Sequence, residues 1–568
     1  MKSESRAGAA RLCAIWVAVV ALVCVVGWLY WRLMDPGMAG FIQDDGAYLV
    51  TSKALAEGKG YRLLHMIGEP AQVKHPIGYP LVLAAGWRIN PAFPDNLALL
   101  NAMTLAFGMA ALLVIFGYLA FLKGLPALLA VAVVLLVAAT MPAMRFLTSI
   151  MSEGPYLFWS FVTLSATEMY RRHRSAGWLL AVILGSAISF HTRLFGIALL
   201  AGLTIWFLLQ RHWRHAATYV GGVLTLAVVP WFVWVQAQRR SLTADNFMQT
   251  FPYANYYEEI TNYLRDGTYV GRLQATVSHA VGRLLEVMFS LVPHLRILRP
   301  DWLARPTIAG VYETLVTVAG YCLVGYFAAL LVRGIRSVAR ERAWSAVAPD
   351  PWYTICYVGL MLVWSYVAHQ PRFLLMVLPL LWLYFLRPFV PLVRAGRWRG
   401  RGWAALLALL VVLGLGASPV AYLGVWHTRT YHFIDTGSLR YPDLWSDYQA
   451  SFAFIHRHLP VDAVMASSNP AVYYLYTGRK GFFLSSDVFE VLLRRYSDAA
   501  AAELIHQMDG TGVTHLITEP HMVRLAVQSD TGLAARYLLD RHPHRFSGLI
   551  RTRDGLVRVY RLLPAASE

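Results

Sequence analysis

Apolar runs about as long as a bilayer is thick recur along this sequence, separated by short clusters of arginine. Hydrocarbon offers backbone groups no water to bond, so such runs fold as helices that satisfy their own N–H and C=O groups. A span needs roughly 20 apolar residues, with about 17 as a lower limit. Runs near 12–34, 96–121, 124–141, 154–170, 176–191, 194–210, 216–236, 306–332, 352–368, 373–393 and 403–424 fit this requirement, the fifth and sixth being short. The chain therefore reads as a polytopic α-helical membrane protein of about eleven transmembrane helices. The first run, Leu12 to Tyr30, is long for a signal-peptide core and no small-residue cleavage site follows it, so it reads as a retained anchor.

Charge decides orientation. Only 14% of the 568 residues are charged and 57% are hydrophobic, against about 25% charged in soluble proteins. The net charge of +18 would suit nucleic acid, but the basic residues sit in short clusters between apolar runs, where they set membrane topology. With the N-terminus cytoplasmic, the inside segments hold Lys2, Arg6 and Arg11; Lys123; Arg171, Arg172 and Arg174; Arg211 and Arg214; Arg333, Arg336, Arg340 and Arg342; and Arg394, Arg397, Arg399 and Arg401. The short outside loops carry one arginine each: Arg145, Arg193 and Arg372. The four cysteines lie in or beside apolar segments, so no disulfide framework or cysteine metal site is expected in the polar regions.

Three larger pieces fall outside: loop 35–95, loop 237–305 and a tail, giving a membrane domain over 1–426 and an α/β domain over 427–568. In the second loop Leu273, Val277, Val281, Leu284 and Met288 share one helical face, and Arg272, Arg283 and Glu286 make an interfacial helix the better reading than a span. In the tail, Asp447 to Leu459 reads as a helix, 463–466 as a strand, and Pro470 as the first turn of a helix ending before Gly478. Strands are expected over 481–484 and 513–518, with a helix near 487–509 between them.

The segment Gln43-Asp44-Asp45-Gly46-Ala47-Tyr48 places two carboxylates just beyond the first span. Such a pair serves as a general base, as a metal site, or simply as a solvated loop. Lys74 and His75, in Lys74-His75-Pro76-Ile77-Gly78-Tyr79-Pro80, offer a point charge and a hydrogen-bond donor for phosphate; a surface pair before a proline turn is the blander alternative. An arginine outside is disfavoured for orientation and costly near hydrocarbon. Arg145, Arg193 and Arg372 on one face point to an anion site, or else to snorkelling anchors. Glu153 opens the fourth span, either favoured there by the helix dipole or sharing the site of Asp44 and Asp45.

The order of these motifs resembles the C-type glycosyltransferases of the protein O-mannosyltransferase and aminoarabinose transferase kind. The resemblance runs from the acidic doublet and Tyr48, through Ala54-Leu-Ala-Glu-Gly-Lys-Gly-Tyr61 and Lys74-x-Pro76-x-Gly-Tyr-Pro80, to Glu153, Arg193 and Arg372. It includes His458-Leu-Pro-Val-Asp-Ala-Val464 and Tyr476-Thr-Gly-Arg479 in the tail. It implies an enzyme of the inner membrane that moves a sugar from a polyprenyl-phosphate carrier to a lipid, glycan or protein acceptor on the outer, periplasmic face. It implies catalysis by Asp44 with Asp45 beside it, phosphate binding by Lys74, His75, Arg193 and Arg372, and substrate or metal binding by Tyr48, Glu153 and Tyr79. A divalent metal stays open, with Asp45, Glu153 and His75 as its candidate ligands. The aminoarabinose-type pattern has an acid just before the lysine; here Val73 stands there with His75 after Lys74, a departure that counts against a metal site of that type and against aminoarabinose as the sugar.

Other classes fit less of the sequence. A transporter or flippase of lipid-linked sugars calls for repeats and broken or charged helices at mid-membrane. A membrane-anchored envelope-assembly protein would leave the acidic doublet and the arginines without a role. A polysaccharide polymerase or ligase usually emphasises a large outside loop late in the chain, without an acidic doublet after the first span.

Overall fold

A computed structural model describes residues 2–34, 39–40, 44–239, 256, 261, 264, 269–289, 306–341, 347–363, 370–391, 444–484, 498–519, 531–552 and 557–564. The expected span 403–424 and most of loop 237–305 lie outside the described residues. The chain forms two compact units: Met1–Met34, Ala102–Trp231 and Val270–Gly424 make the first, and Asp35–Asn101, Phe232–Tyr269 and Val425–Glu568 the second.

The first unit is helical. By length and composition, the stretches Leu12–Arg32, Leu97–Leu122 and Trp213–Gln238 are each able to cross a membrane, and shorter apolar helices cover Ala127–Ala138, Ala176–Thr192 and Leu194–Leu209. Val17, Val25 and Trp28 on the first helix stay exposed, as lipid-facing residues must. The helix Glu153–His173 is about 30 Å long, the thickness of the hydrocarbon layer. Gly202 lets two helices touch backbone to backbone: a Cβ there would lie 2.6 Å from Cα of Tyr353, and small residues allow this approach in membranes. The run 124–141, expected as one helix, is two, Ala127–Ala138 and Met141–Leu147. Thr140 caps the second by accepting the Ala143 N–H at 3.3 Å, and Pro142 occupies its first turn. These are a helix start signal inside an apolar run.

A buried ion cluster stands toward the far end of the Glu153–His173 helix. Lys123 pairs with Asp350 and lies 3.5 Å from Glu168. Arg171 reaches Glu168 at 2.5 Å, and the Tyr384 hydroxyl donates to Asp350 at 2.9 Å. Four helical segments are thereby tied at one level.

In the second unit the tail forms a five-stranded sheet, ordered β2-β1-β3-β5-β4. Its strands are β1 (Met465–Ser467), β2 (Gly481–Phe483), β3 (His515–Thr518), β4 (Phe546–Arg551) and β5 (Arg558–Leu562). β1 runs parallel to β2 and β3; β5 runs antiparallel to β3 and β4. Alternation along the strands serves two cores. Ala466 and Leu516 face one core with Leu504, Met508 and Leu538. Met465 and Ile517 face the other, with Phe452, Ile455 and Tyr473. The helices Leu444–His458 and Pro470–Thr477 and strands β1 to β3 lie within about three residues of the expected places. β4, β5 and the helix Thr531–Arg541 are additions to that expectation. The Tyr476-Thr-Gly-Arg479 motif is a lock: Gly478 takes φ +73° after the helix, and the Arg479 guanidinium donates to the carbonyls of Leu459, Pro460 and Thr477. It satisfies helix-end carbonyls that would otherwise be orphaned.

The loop after the first span packs on this tail. Its helices Asp44–Ala56 and Gly78–Ile89 lie together, Met66 bridges in parallel to Gly481 at the sheet edge, and the Gly481 N–H donates to the His65 carbonyl at 2.8 Å. Burial holds the imidazole of His65 down at about 3, so it is neutral.

Candidate active site

The residues singled out from sequence fall into two groups, one in each unit. In the second unit, Asp44 and Asp45 open the helix Asp44–Ala56. Acids are favoured at that end by the helix dipole and by its unsatisfied N–H groups. The two have different surroundings. Asp45 is buried; its Oδ2 accepts the Gly40 N–H at 2.8 Å and its Oδ1 the Gly46 N–H at 2.9 Å. Asp44 keeps 29% of its side chain exposed, and its Oδ1 lies 3.5 Å from Nε2 of buried His75. The structure therefore separates the doublet into a backbone clamp and a reachable carboxylate.

His75 is held from several sides. Gln72 Oε1 accepts from the Lys74 N–H at 2.8 Å and from the His75 N–H at 3.4 Å. The Tyr61 hydroxyl donates to the His75 carbonyl at 2.8 Å, and burial keeps that phenol protonated. The ring of Tyr48 lies 5.1 Å from the His75 ring and 5.0 Å, edge-on, from Tyr79. Lys74 stands 5.3 Å over the ring of Tyr256, which lies in the 237–305 segment. A carboxylate, an imidazole, an ammonium and four phenol rings are thus gathered in one place.

In the first unit, Glu153, Arg193 and Arg372 come together although they belong to three different helical segments. Glu153 is fully buried; Arg193 Nη1 donates to its Oε1 at 2.9 Å, and Arg372 Nε donates to the same oxygen. Arg193 also donates to Ser152 Oγ at 2.9 Å. Its guanidinium lies 5.4 Å from the ring of Phe373, which stacks on Phe195 at 4.5 Å. Arg145 and Arg372 both lie over Phe146, at 5.6 and 5.2 Å. Three buried guanidiniums and one carboxylate gather here, a balance that suits an anion.

Among the described residues no three His, Cys, Asp or Glu side chains stand together at ligand spacing. Of the three candidate ligands, Glu153 accepts from two guanidiniums, which repel a cation, and both oxygens of Asp45 accept backbone N–H groups. His75 faces Asp44.

Sequence reasoning missed Ser152, Gln72 and Asn469. Asn469 occupies the N-cap position of the Pro470–Thr477 helix, yet its amide donates to the Gly40 carbonyl at 2.5 Å. Only a polar residue before Pro470 hinted at it.

No protein-family model matches the sequence, and no curated protein does. Among solved structures, the chain is similar to ArnT from Cupriavidus metallidurans bound to undecaprenyl phosphate, at 15% identity and a TM-score of 0.50, over 96% of this chain and 97% of that one. ArnT from the same organism in the apo state matches at 14% identity and a TM-score of 0.39, over 98% of each chain. The first likeness establishes the fold: this polytopic helical membrane protein is built as ArnT is, over nearly its whole length, and the resemblance stated from sequence holds at the level of fold.

Proposed function

We propose that this chain is an inverting glycosyltransferase. It moves a sugar from a polyprenyl-phosphate-linked donor to a lipid, glycan or protein acceptor on the outer face of the inner membrane. The observation that carries the reading is the buried cluster of Arg193, Arg372 and Glu153, an anion site built into membrane helices. The solved ArnT complex holds undecaprenyl phosphate, an anion of the chemistry such a cluster takes.

The chemistry follows from the side chains. Asp44 accepts the proton of the acceptor hydroxyl or amine as that atom attacks the anomeric carbon. His75, 3.5 Å away, holds the carboxylate in place. The bond from the anomeric carbon to the phosphate oxygen breaks, and the electron pair leaves with the polyprenyl phosphate. Lys74, in the same unit as Asp44, offers a positive charge for the phosphate that departs, and Arg193 and Arg372 give the first unit its own anion site. One displacement inverts the anomeric centre; retention would need a carboxylate nucleophile and a second step. Tyr48 and Tyr79 supply ring faces and edges for a sugar.

Eleven crossings put the tail, 427–568, on the outer face with the first loop. Two features support this topology. Glu153 and Glu168 sit toward opposite ends of one helix about 30 Å long. The residues expected outside, Arg193 and Arg372, join Glu153, while those expected inside, Lys123 and Arg171, join Glu168.

The test gives purified protein a radiolabelled polyprenyl-phosphate sugar and membrane lipids. Wild type should move label off the carrier, and Asp44→Asn should lose about 10²–10⁴-fold in rate. Label that never leaves the carrier with any acceptor, or a fully active Asp44→Asn, overturns the reading.

A further inference from the structure

Gly40 is gripped from two sides. Its N–H is bound by Asp45 Oδ2 at 2.8 Å, and its carbonyl accepts from Asn469 Nδ2 at 2.5 Å. Its φ of +91° lies where only glycine is comfortable. A Cβ on Gly40 would meet Val472 Cγ2 at 2.8 Å, and a Cβ on Gly46 would meet Ala471 Cβ at 2.9 Å. The neighbouring Ala39 N–H donates to the Tyr476 hydroxyl at 3.2 Å. The helix Pro470–Thr477 of the tail thus lies against the backbone that precedes and opens the Asp44 helix, with no room for a side chain between them.

Asn469 holds the N-cap position of that tail helix. An asparagine there ordinarily bonds the N–H groups of its own first turn. Here no side-chain cap bond forms, and the amide is spent on a carbonyl 429 residues away in sequence. The residue before it is itself pinned: Glu519 accepts from Ser468 N–H at 3.0 Å and Ser468 Oγ at 2.6 Å, and from the Tyr473 hydroxyl at 2.7 Å. A chain of bonds therefore runs from Glu519 through Ser468 and Asn469 to Gly40 and Asp45.

We infer that Asn469 is a positioning residue for the transfer: through Gly40 it fixes the start of the helix that carries Asp44. The inference rests on the reading of Asp44 as the base. A carboxylate displaced by an ångström loses its line to the attacking hydroxyl, while the donor-phosphate contacts are untouched. The effect falls on kcat rather than on KM for the donor.

Asn469→Asp tests this in the full-length protein. Aspartate keeps the shape and caps a helix as well as asparagine does, so the tail's own fold is preserved, but it sets a carboxylate against the Gly40 carbonyl in place of a donor. The expected result is a kcat lower by about 10- to 100-fold with donor KM unchanged. Hydrogen exchange should rise in peptides covering 39–50 and stay as in wild type over 444–484. Tyr476→Phe, which keeps the ring and removes the acceptor for the Ala39 N–H, should move both readouts the same way by a smaller amount. Unchanged kcat, unchanged exchange over 39–50, or exchange rising across 444–484 overturns the inference; in the last case Asn469 serves the tail's own fold. If wild type itself transfers no sugar, the transferase reading falls, while exchange over 39–50 still decides whether Asn469 anchors that helix.

Discussion

Arg193 and Arg372 donate to the same oxygen of Glu153. Two like charges are held side by side at the ends of different helices because one buried carboxylate lies between them. On the proposed reading Glu153 belongs to the cationic side of the chemistry: it orients the two guanidiniums offered to the donor phosphate.

Removing either arginine should weaken the grip on polyprenyl phosphate. A hydrogen bond to a charged group is worth about 1.5–3 kcal/mol, so Arg193→Ala and Arg372→Ala should raise Kd roughly 10- to 150-fold. Binding of labelled polyprenyl phosphate measures it. Glu153→Gln removes the carboxylate between two buried guanidiniums and should cost about 3–5 kcal/mol of stability, read as a lower thermal midpoint. An unchanged midpoint would show that the carboxylate is dispensable.

The acidic doublet should divide by role. Asp44→Asn removes the proposed proton acceptor and should lower turnover by about 10²–10⁴-fold with only a small change in the thermal midpoint. Asp45→Asn keeps one acceptor oxygen for its two backbone donors, so it should lower stability by about 1–3 kcal/mol and leave measurable transfer. The opposite ranking in a turnover assay would reassign the base.

Lys123 stands between Asp350 and Glu168, all three buried. Lys123→Met leaves two carboxylates facing each other and should destabilise strongly; Asp350→Asn in the same chain should give back part of the loss. A double-mutant cycle on unfolding should show a coupling of about 1–3 kcal/mol. Additive losses would mean that the pair contributes nothing as a pair.

Glu519 makes the second unit sensitive to pH. Burial raises its carboxyl above the usual value of 4.5, outweighing the donors from Ser468, Tyr473 and Tyr448 that lower it. The folded state then holds a proton that the unfolded chain has already released. Its contribution to stability is present below the ordinary glutamate value and is lost as pH rises through the raised one. Thermal midpoints taken across that range should fall with rising pH in wild type, and Glu519→Gln should flatten the curve. A variant curve parallel to wild type would remove Glu519 as the cause.

What was legible from sequence was whatever leaves a local pattern. Apolar runs located the helices, and lone arginines in short outside loops singled out Arg193 and Arg372 because orientation disfavours them there. The break at Thr140 was hidden by the apolar residues around it, although a cap and a proline stood in plain view. Strand β5 alternates as Arg-Val-Tyr-Arg-Leu, and its arginines disguised a half-buried strand. The bond from Asn469 to Gly40 leaves no local trace: nothing near either residue records a partner so far along the chain.

That distance carries a consequence for how the protein is made. Gly40 is made 429 residues before the partner that binds its carbonyl. The helix bearing Asp44 therefore waits for the tail helix Pro470–Thr477 to be made and to fold. If Asp44 is the base, a nascent chain, or one ended before Asn469, would hold that carboxylate unaligned. On that reading synthesis itself times the onset of transfer, and a chain ended before Asn469 is a silent one.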